Sequence, residues 1–558
     1  MKKLSLINYK SVLGIILGPE KNYYFLLFVY GAVVTVLSLI LPLSIQALIN
    51  SIANVGVLQR LITVSVVLLV ILTLSAVSYG IQEYIAEVFR RRFFARIVAL
   101  MTTRVVYAKY AALQGINRTT LMQKFFEIIS IDKSLPYVLI GGYSLALQIL
   151  AGVILTSFYH PVFLLFNCIV LLILYAIWKG HSKQAIAYAI DESDQKYQTA
   201  DWLLDMGRNH LLFKSKQMKN YATKRSNTLT GYYIDARKNH FKHLFSQICY
   251  LLGLYVLGNS ILLFISGYFV LNGQLSLGQL VATEIIFSSI FANLAKSGSY
   301  LGSFYDLQAS CEKLISFYRF DIEQDMTGRM ILVPETIAYK GAKFALFNEE
   351  IEINHTFKKG SRTLIATVQR EYKNLLIGSL MGFYAPEKGV VSVNNELLDD
   401  IDIHYYRQGI SIIDESEILN LSIKEYLSYG LEDPDTIKIT EILTRVGIMD
   451  TITQLEDGVD TVLDSNGSPL THRELVLLKL GRAILNKSKY IMMNHHISFA
   501  ALHNKALFAH LDSNPDITLI YFSNTYHDAY LFDHYMACDQ AGLKLLEDRK
   551  SYDAYIQS

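Results

Sequence analysis

The stretch that decides the fold is residues 23–49, YYFLLFVYGAVVTVLSLILPLSIQALI, which contains no charged residue. A helix needs about 20 mostly apolar residues to cross the hydrocarbon core of a bilayer, and this stretch is longer than that. Five further predominantly apolar stretches follow it, at residues 58–82, 135–157, 161–178, 245–269 and 277–298. The sequence therefore predicts six transmembrane helices within residues 1–324.

The composition supports this prediction. Of the 558 residues 52% are hydrophobic and only 18% are charged, whereas about 25% of the residues of soluble proteins are charged. The net charge of +2 conceals a balance of +13 for residues 1–324 and of −11 for residues 325–558. A wholly soluble protein is excluded, and we expect the lipid bilayer, and no nucleic acid, as a partner.

The orientation in the membrane follows from the basic residues. Lys and Arg are concentrated in two long segments, between helices two and three and between helices four and five, and the opposite loops contain only Arg60. Since such an excess marks cytoplasmic loops, we predict cytoplasmic N- and C-termini for a multi-pass protein of the plasma membrane, the inner membrane in a bacterium.

Helical spacing of apolar residues continues through both basic segments, which predicts that the helices extend well into the cytoplasm. Breaks near residues 115–120 and 207–210 would turn the chain back, and a disordered basic loop is the alternative. The amphipathic residues 6–17 are expected to form a helix at the membrane interface.

Few polar groups lie inside the predicted spans. Glu284 is a candidate for the transport pathway, because a carboxylate in a bilayer is costly unless it faces a cavity or a partner. The alternative is a protonated or hydrogen-bonded packing residue at a helix interface. Gln148, Asn167 and Asn259 are expected to form hydrogen bonds between helices rather than to bind substrate.

After residue 325 short β-rich runs alternate with helical runs, which predicts an α/β domain with a mixed or parallel sheet over residues 325–558. No metal site is predicted: His495 and His496 are adjacent at a strand end, point to opposite faces, and have no Cys or carboxylate cluster nearby. The four cysteines show no motif spacing and are interpreted as small apolar side chains.

Together these features resemble the exporters of the ATP-binding cassette (ABC) family, in the half-transporter form of their type I fold. Residues 271–318 are similar to the sixth helix and linker of that family. GFYAPEKGVVSVNN, residues 382–395, is similar to the "GLYxPxxGxVxxDG" of its cassette. The resemblance implies a membrane domain followed by a nucleotide-binding domain that pairs with a second copy or a relative.

The phosphate-binding loop of that family is missing. Such a loop needs GxxxxGK[ST], whose backbone N–H groups, lysine and hydroxyl hold the phosphates and Mg²⁺. At the corresponding place this chain has TVQREYKNL, residues 367–375. The resemblance places Lys373 on the motif lysine and Asn374 on the hydroxyl, as remnants of nucleotide binding. A solvated lysine at a helix start is the alternative for Lys373.

Three bulky residues stand where that loop has its glycines, namely Thr367, Arg370 and Tyr372.

The other nucleotide positions differ from the family as well. By the resemblance, Asp414 stands near the glutamine that helps to hold Mg²⁺, and LTHRE, which contains Thr471 and Arg473, stands at the LSGGQ signature. The family's metal-binding Asp, water-polarising Glu and switch His correspond to three residues of this chain, Asn494, His495 and Asn524.

Tyr339 is the candidate for an aromatic side chain that stacks on adenine.

Since phosphoryl transfer depends almost wholly on electrostatic stabilisation, and each such group contributes about 3–4 kcal/mol, we expect no hydrolysis by this chain, weak or absent binding of ATP and Mg²⁺, and no cofactor. Three functions stay open. The first is an export subunit with an inactive cassette that pairs with an ATP-competent half-transporter, although a homodimer is possible. The second is an ATP-independent assembly or regulatory membrane protein, and the third is a divergent but active ATPase.

Overall fold

The computed structural model describes most of the chain. The described ranges are 14, 16, 18–53, 58–323, 329–331, 334–346, 349–367, 369–414, 418–429, 435–494, 502–523 and 532–557. Most of the predicted interfacial helix at residues 6–17 lies outside them.

Six described helical segments are long and apolar enough to cross a membrane, as predicted. The α-helices of this part are α1 (Lys21–Ser38), α2 (Ile40–Ala53), α3 (Leu58–Val106), α4 (Tyr110–Leu113), α5 (Arg118–Gln123), α6 (Glu127–Tyr137), α7 (Tyr143–Ser157), α8 (Pro161–Arg208), α9 (Lys216–Leu271) and α10 (Leu277–Tyr318).

The first predicted span is not one helix. Helix α1 ends at Ser38 and α2 begins at Ile40. Pro42 has no N–H to donate to the carbonyl of Ser38, so the hydrogen-bond ladder is interrupted there. The third span is also irregular, because the π-helix Val138–Gly142 separates α6 from α7.

Three of the membrane-spanning helices continue as unbroken helix well beyond the length of a span, as predicted. Helices α3, α8 and α9 contain 49, 48 and 56 residues, which at 1.5 Å per residue gives about 70–85 Å, more than twice the bilayer core. The chain turns back at Gly115, whose φ of 71° is left-handed, and at the short helix His210–Lys214.

The chain divides into two compact units. The first comprises residues 1–108 and 112–322, and the second comprises residues 109–111 and 323–558. In the first unit, apolar side chains from α8, α9 and α10 form a core that includes Phe163, Leu262 and Phe291. A second core near the ends of α3, α6 and α10 includes Phe89 and Ile131.

The second unit contains two sheets and eight α-helices among its described residues from 323 onward, which confirms the predicted α/β domain. Its strands are β1 (Thr336–Leu346), β2 (Glu349–Lys358), β3 (Arg362–Thr367), β4 (Lys388–Val393), β5 (Glu396–Leu397), β6 (Ile410–Ile413), β7 (Tyr490–Asn494), β8 (Thr518–Phe522), β9 (His534–Asp539) and β10 (Gly542–Leu546). Its helices are α11 (Arg370–Leu380), α12 (Ile403–Gln408), α13 (Ile423–Ser428), α14 (Thr436–Val446), α15 (Met449–Thr453), α16 (His472–Leu485), α17 (Leu502–Ser513) and α18 (Arg549–Gln557).

The larger sheet has the strand order β10-β9-β3-β8-β7-β6 and is parallel except for β10. The smaller sheet, β2-β1-β4-β5, is antiparallel. Successive residues of a strand point to opposite faces. Ile491 and Met493 of β7 accordingly join one core, and Met492 joins the other. Burial on both faces explains why these strands are almost continuously apolar.

Candidate nucleotide-type site at the carboxyl edge of the parallel sheet

Three of the positions singled out in the sequence lie at one edge of the larger sheet. Strands β3, β8, β7 and β6 are neighbours and run parallel, so their carboxyl ends lie at the same edge. Thr367 ends β3, Asn494 ends β7 and Asp414 follows β6. In open α/β sheets, ligands bind outside this edge. The framework of a nucleotide site is therefore present, and its chemistry depends on the side chains that it carries.

The connection between β3 and α11 differs from a phosphate cradle. Lys373 is in the first turn of α11 and is only 3% exposed, so its ammonium lies inside the domain. The alternative interpretation was a solvated lysine at a helix start. Lys373 does lie at the start of α11, but it is buried and not solvated. Asn374 is exposed, and Thr367 and Tyr372 are buried.

Tyr339 lies in the core and offers no ring face to a base. It belongs to β1, is 1% exposed, and its hydroxyl is 2.9 Å from the Ser379 hydroxyl. Burial raises its pKa well above the ordinary value. The interpretation as an adenine-stacking residue does not fit this position.

Asp414 binds a lysine of the same domain. The Lys479 ammonium donates to the backbone carbonyl of Asp414 at 2.8 Å and is 3.4 Å from its Oδ1. Lys479 belongs to α16 and is 6% exposed. The Asp414 carboxylate is therefore paired with a basic side chain of its own domain.

The residues at the predicted signature position form the N-terminus of α16, where two of their side chains cap the helix. The Thr471 hydroxyl accepts from the backbone N–H of Glu474, and the Glu474 carboxylate accepts from the Thr471 backbone N–H at 2.8 Å, which is a complete capping box. The Thr451 hydroxyl donates to the other carboxylate oxygen at 2.8 Å. Partial burial alone would raise the pKa of Glu474, but hydrogen bonds from Thr471 and Thr451 and the charge of Arg473 hold it below its usual value.

Glu474 is thus an anion at a helix N-terminus, where a phosphate would otherwise be stabilised. Glu474 was not among the residues predicted from the sequence, although the pattern [ST]-x-x-[EQ] at residues 471–474 predicts this cap. His472 and Arg473 are exposed in the same turn.

Asn494 is half-buried at the end of β7, and its Oδ1 has no hydrogen-bond partner among the described residues. His495 and Asn524 lie outside the described residues. Within the part of the chain that the structure describes, no group of three or more His, Cys, Asp or Glu side chains could hold a metal ion.

In the first unit, Glu284 of α10 is half-buried. The Ser288 hydroxyl is 3.3 Å from Oε1 of Glu284, and Oε2 of Glu284 has no partner among the described residues. The three predicted hydrogen bonds between helices are confirmed. Asn293 donates to Gln148 at 2.7 Å, Asn167 donates to Thr156 at 3.1 Å, and Ser288 donates to Asn259 at 3.3 Å.

The whole fold is that of an ABC exporter half-transporter. The solved structure of a bacterial Atm1-family ABC exporter with ATP bound matches with a TM-score of 0.78, covering 96% of this chain and 95% of that one at 15% sequence identity. At that identity the match shows the fold alone. No family model matches the chain.

Curated relatives are similar over part of the chain. The leukotoxin translocation ATP-binding protein LktB of Mannheimia glucosida is 24% identical over 247 residues, which are 42% of this chain and 34% of that protein. The uncharacterized ABC transporter ATP-binding protein YknU of Bacillus subtilis (strain 168) is 25% identical over 242 residues, 41% of each.

A putative export ATP-binding/permease protein of Rickettsia bellii (strain RML369-C) is 24% identical over 248 residues, 43% of each. The chain thus spans about a third to two fifths of the length of these relatives.

Proposed function

We propose that this chain is an export subunit of an ABC-type transporter whose own cassette does not hydrolyse ATP. The observation that carries the proposal is the set of side chains at the predicted nucleotide positions: Lys373 is buried at the start of α11, and Glu474 places a carboxylate at the N-terminus of α16. A polyphosphate would meet an anion at that helix and no glycine cradle at α11. The export-related names of its relatives support the transport part of the proposal.

The partner that fits best is an ATP-competent half-transporter, and the cargo is a peptide, a protein or another amphipathic molecule. In composite sites the phosphate loop of one subunit meets the signature of the other. This chain has altered both parts, so a pair of one such chain with one competent partner would have two altered sites. That difficulty favours a second candidate, an ATP-independent assembly or regulatory protein on the same fold, which a homodimer would fit.

The first experiment measures ATP hydrolysis by the purified full chain, alone and with any co-purifying protein. We expect no turnover by the chain alone. A co-purifying cassette protein that supplies turnover supports the export pair, and a homodimer without activity supports the assembly protein. Robust hydrolysis by the isolated chain contradicts the proposal and identifies a divergent active ATPase.

The second experiment compares thermal unfolding with and without Mg-ATP. A ligand at 100 times its Kd stabilises a protein by about 2.7 kcal/mol. We expect no shift for this chain at millimolar Mg-ATP, measured beside an ATP-competent exporter as the positive control.

A further inference from the structure

Two neighbouring helices of the first unit carry exposed lysine and aromatic side chains where they leave the predicted spans. The predicted spans within α8 and α9 are residues 161–178 and 245–269, and both helices continue unbroken beyond them. The exposed side chains at this level form a set that we call the lysine–aromatic belt. The belt consists of Tyr175, Trp178, Lys179 and Lys183 on α8 and of Phe241, Lys242 and Phe245 on α9.

Stacked rings join α8 and α9 at this level. The Tyr188 ring of α8 lies 5.3 Å from the His243 ring of α9, with 12° between the ring planes. The His181 ring of α8 lies 5.6 Å from the Tyr250 ring of α9, with 21° between the planes. Stacked aromatic pairs stabilise a contact beyond the area that they bury. The belt is therefore carried by two helices that are packed together, and not by two independent segments.

The lysines of the belt have no acidic partner. Residues 161–190 and 236–271 contain no Asp or Glu. In the part of the chain that the structure describes, no carboxylate from another element lies within ion-pair distance of Lys179, Lys183 or Lys242, and all three are exposed. A counter-charge for these lysines must therefore come from outside the described protein.

The aromatic side chains indicate the depth of the belt. Trp178 is 46% exposed, and the exposed rings of Phe241 and Phe245 lie 5.5 Å apart. The Lys179 ammonium lies 5.6 Å from the centre of the Tyr175 ring. Trp and Tyr are enriched where hydrocarbon meets water, and lysine buries its stem there while its ammonium reaches the headgroups. The belt thus has an apolar part and a cationic part in the order in which a lipid has acyl chains and phosphate.

We propose that the lysine–aromatic belt binds an anionic phospholipid, such as phosphatidylglycerol, in the adjacent leaflet of the membrane. The lipid phosphate supplies the counter-charge that the lysines lack, and its acyl chains continue along the exposed apolar surface of α8 and α9. Lysines beside a transmembrane helix attract anionic lipids, whereas a zwitterionic lipid offers them no net charge. This proposal goes beyond the export function and does not depend on it.

The alternative is that these lysines are solvated and serve only to set the orientation of the helices. In that case the folded protein has no preference between an anionic and a zwitterionic lipid at the belt.

The chain has a natural reporter inside the belt. Its two tryptophans are Trp178 and Trp202. Trp202 lies 24 residues farther along α8, a distance of about 36 Å. Trp202→Phe therefore gives a full-length protein whose single tryptophan lies in the belt.

This single-tryptophan protein is reconstituted in phosphatidylcholine vesicles with increasing fractions of brominated phosphatidylglycerol or brominated phosphatidylcholine, which quench a neighbouring tryptophan. We expect phosphatidylglycerol to quench Trp178 with a relative affinity at least about fivefold higher, the effect of one lysine at an anionic surface. The preference should shrink in 1 M salt, where the Debye length is about 3 Å. Equal quenching by the two lipids overturns the proposal.

Substitutions in the same background locate the effect. Lys179→Gln, Lys183→Gln and Lys242→Gln together should reduce the preference to less than about twofold, and arginine at the same three positions should retain it. The matched control removes the same charge at least about 27 Å from Lys242. It combines Lys→Gln substitutions at three exposed residues near the start of α9, Lys216, Lys219 and Lys224.

The control should keep the full preference for phosphatidylglycerol. An equal loss in the belt variant and the control would trace the preference to net charge and overturn the proposed site. A preference abolished by millimolar glycerol phosphate would also overturn it, because the belt would then bind a water-soluble phosphate and not a lipid. If the belt variant does not fold, as judged by its thermal unfolding, the comparison of headgroups in the single-tryptophan protein still decides the proposal.

Discussion

Thr471, at the predicted signature position, is the N-cap of α16. Its hydroxyl accepts from the Glu474 N–H, and the Glu474 carboxylate accepts from the Thr471 N–H. The two residues therefore stabilise α16 and place a negative charge at its N-terminus.

We expect Thr471→Ala to destabilise the second unit by about 1 kcal/mol, because an N-cap hydroxyl contributes about that much. For a domain of this size the loss corresponds to a fall of about 2–4 °C in Tm, measured by calorimetry of the full chain in detergent. Thr436→Ala is the control, since Thr436 is exposed in the first turn of α14 but is not its N-cap. An unchanged Tm for Thr471→Ala contradicts the capping role.

His355 gives the second unit a dependence on pH. It lies on β2, and burial, with a contribution from the charge of His534, lowers its pKa to about 4. The unfolded chain binds a proton below about pH 6.5, whereas the folded chain stays neutral at this residue. Stability is therefore full above pH 6.5 and decreases as the pH falls toward 4.

In His355→Phe we expect a smaller decrease in Tm between pH 7 and pH 5 than in the unaltered chain. The exposed His472 serves as the control, and His472→Phe should keep the original pH dependence. An identical pH dependence in all three proteins rules out this contribution of His355.

At the scale of elements, the membrane spans and the α/β sheet could be predicted because their signals are long: apolar runs of 20 residues or more, and strands buried on both faces. The break at Leu39 and the π-helix at Val138–Gly142 were not predicted, since one proline or one extra residue per turn changes the backbone without changing the apolar pattern. Tyr339 was misplaced because an aromatic residue on β1 has the same sequence signal whether it faces a ligand or the core.

Three helices of the first unit are joined by a buried carboxylate. Glu127 of α6 is 2% exposed and accepts from Lys196 and Tyr197 of α8, both at 2.7 Å, and from Ser310 of α10 at 2.5 Å. The donors to the Glu127 carboxylate come from both α8 and α10, so this hydrogen-bond network forms only when α6, α8 and α10 are packed together.

We expect Glu127→Ala to cost about 3–5 kcal/mol, because it leaves buried donors without an acceptor. The control is Glu87→Ala on α3, whose pairs with Arg90 and Arg91 are solvent-exposed and should contribute less than about 1 kcal/mol. Thermal unfolding of the full chain measures both, and similar losses in the two variants would show that the network adds nothing.

Helix α9 approaches α10 through a glycine. A Cβ added to Gly258 would lie 2.4 Å from the Phe291 ring, whereas one added to Gly267 on the same helix meets nothing within 4 Å. Small residues permit close packing of membrane helices. We expect Gly258→Val to lower the Tm by several degrees and Gly267→Val to leave it almost unchanged; the reverse order would contradict this contact.

For the whole molecule, the charge balance and the helix lengths together predict on which side of the membrane each loop lies. Helix α8 has 48 residues and is about 70 Å long, so its two ends cannot both be near the bilayer. Phe158, just before α8, is 83% exposed, and Leu211, just after it, is 74% exposed. The basic residues on the Leu211 side predict that this end is cytoplasmic.

This orientation can be tested with single cysteines in a background in which the exposed Cys168 and Cys249 are replaced by serine. We expect Phe158→Cys to react in intact cells with a membrane-impermeant maleimide, and Leu211→Cys to react only after the cells are opened. Because both positions are exposed in the structure, a difference between them reports the membrane barrier and not burial within the protein. Labelling of Leu211→Cys alone in intact cells would invert the orientation and place the α/β domain outside the cytoplasm, where no ATP-competent partner could act with it.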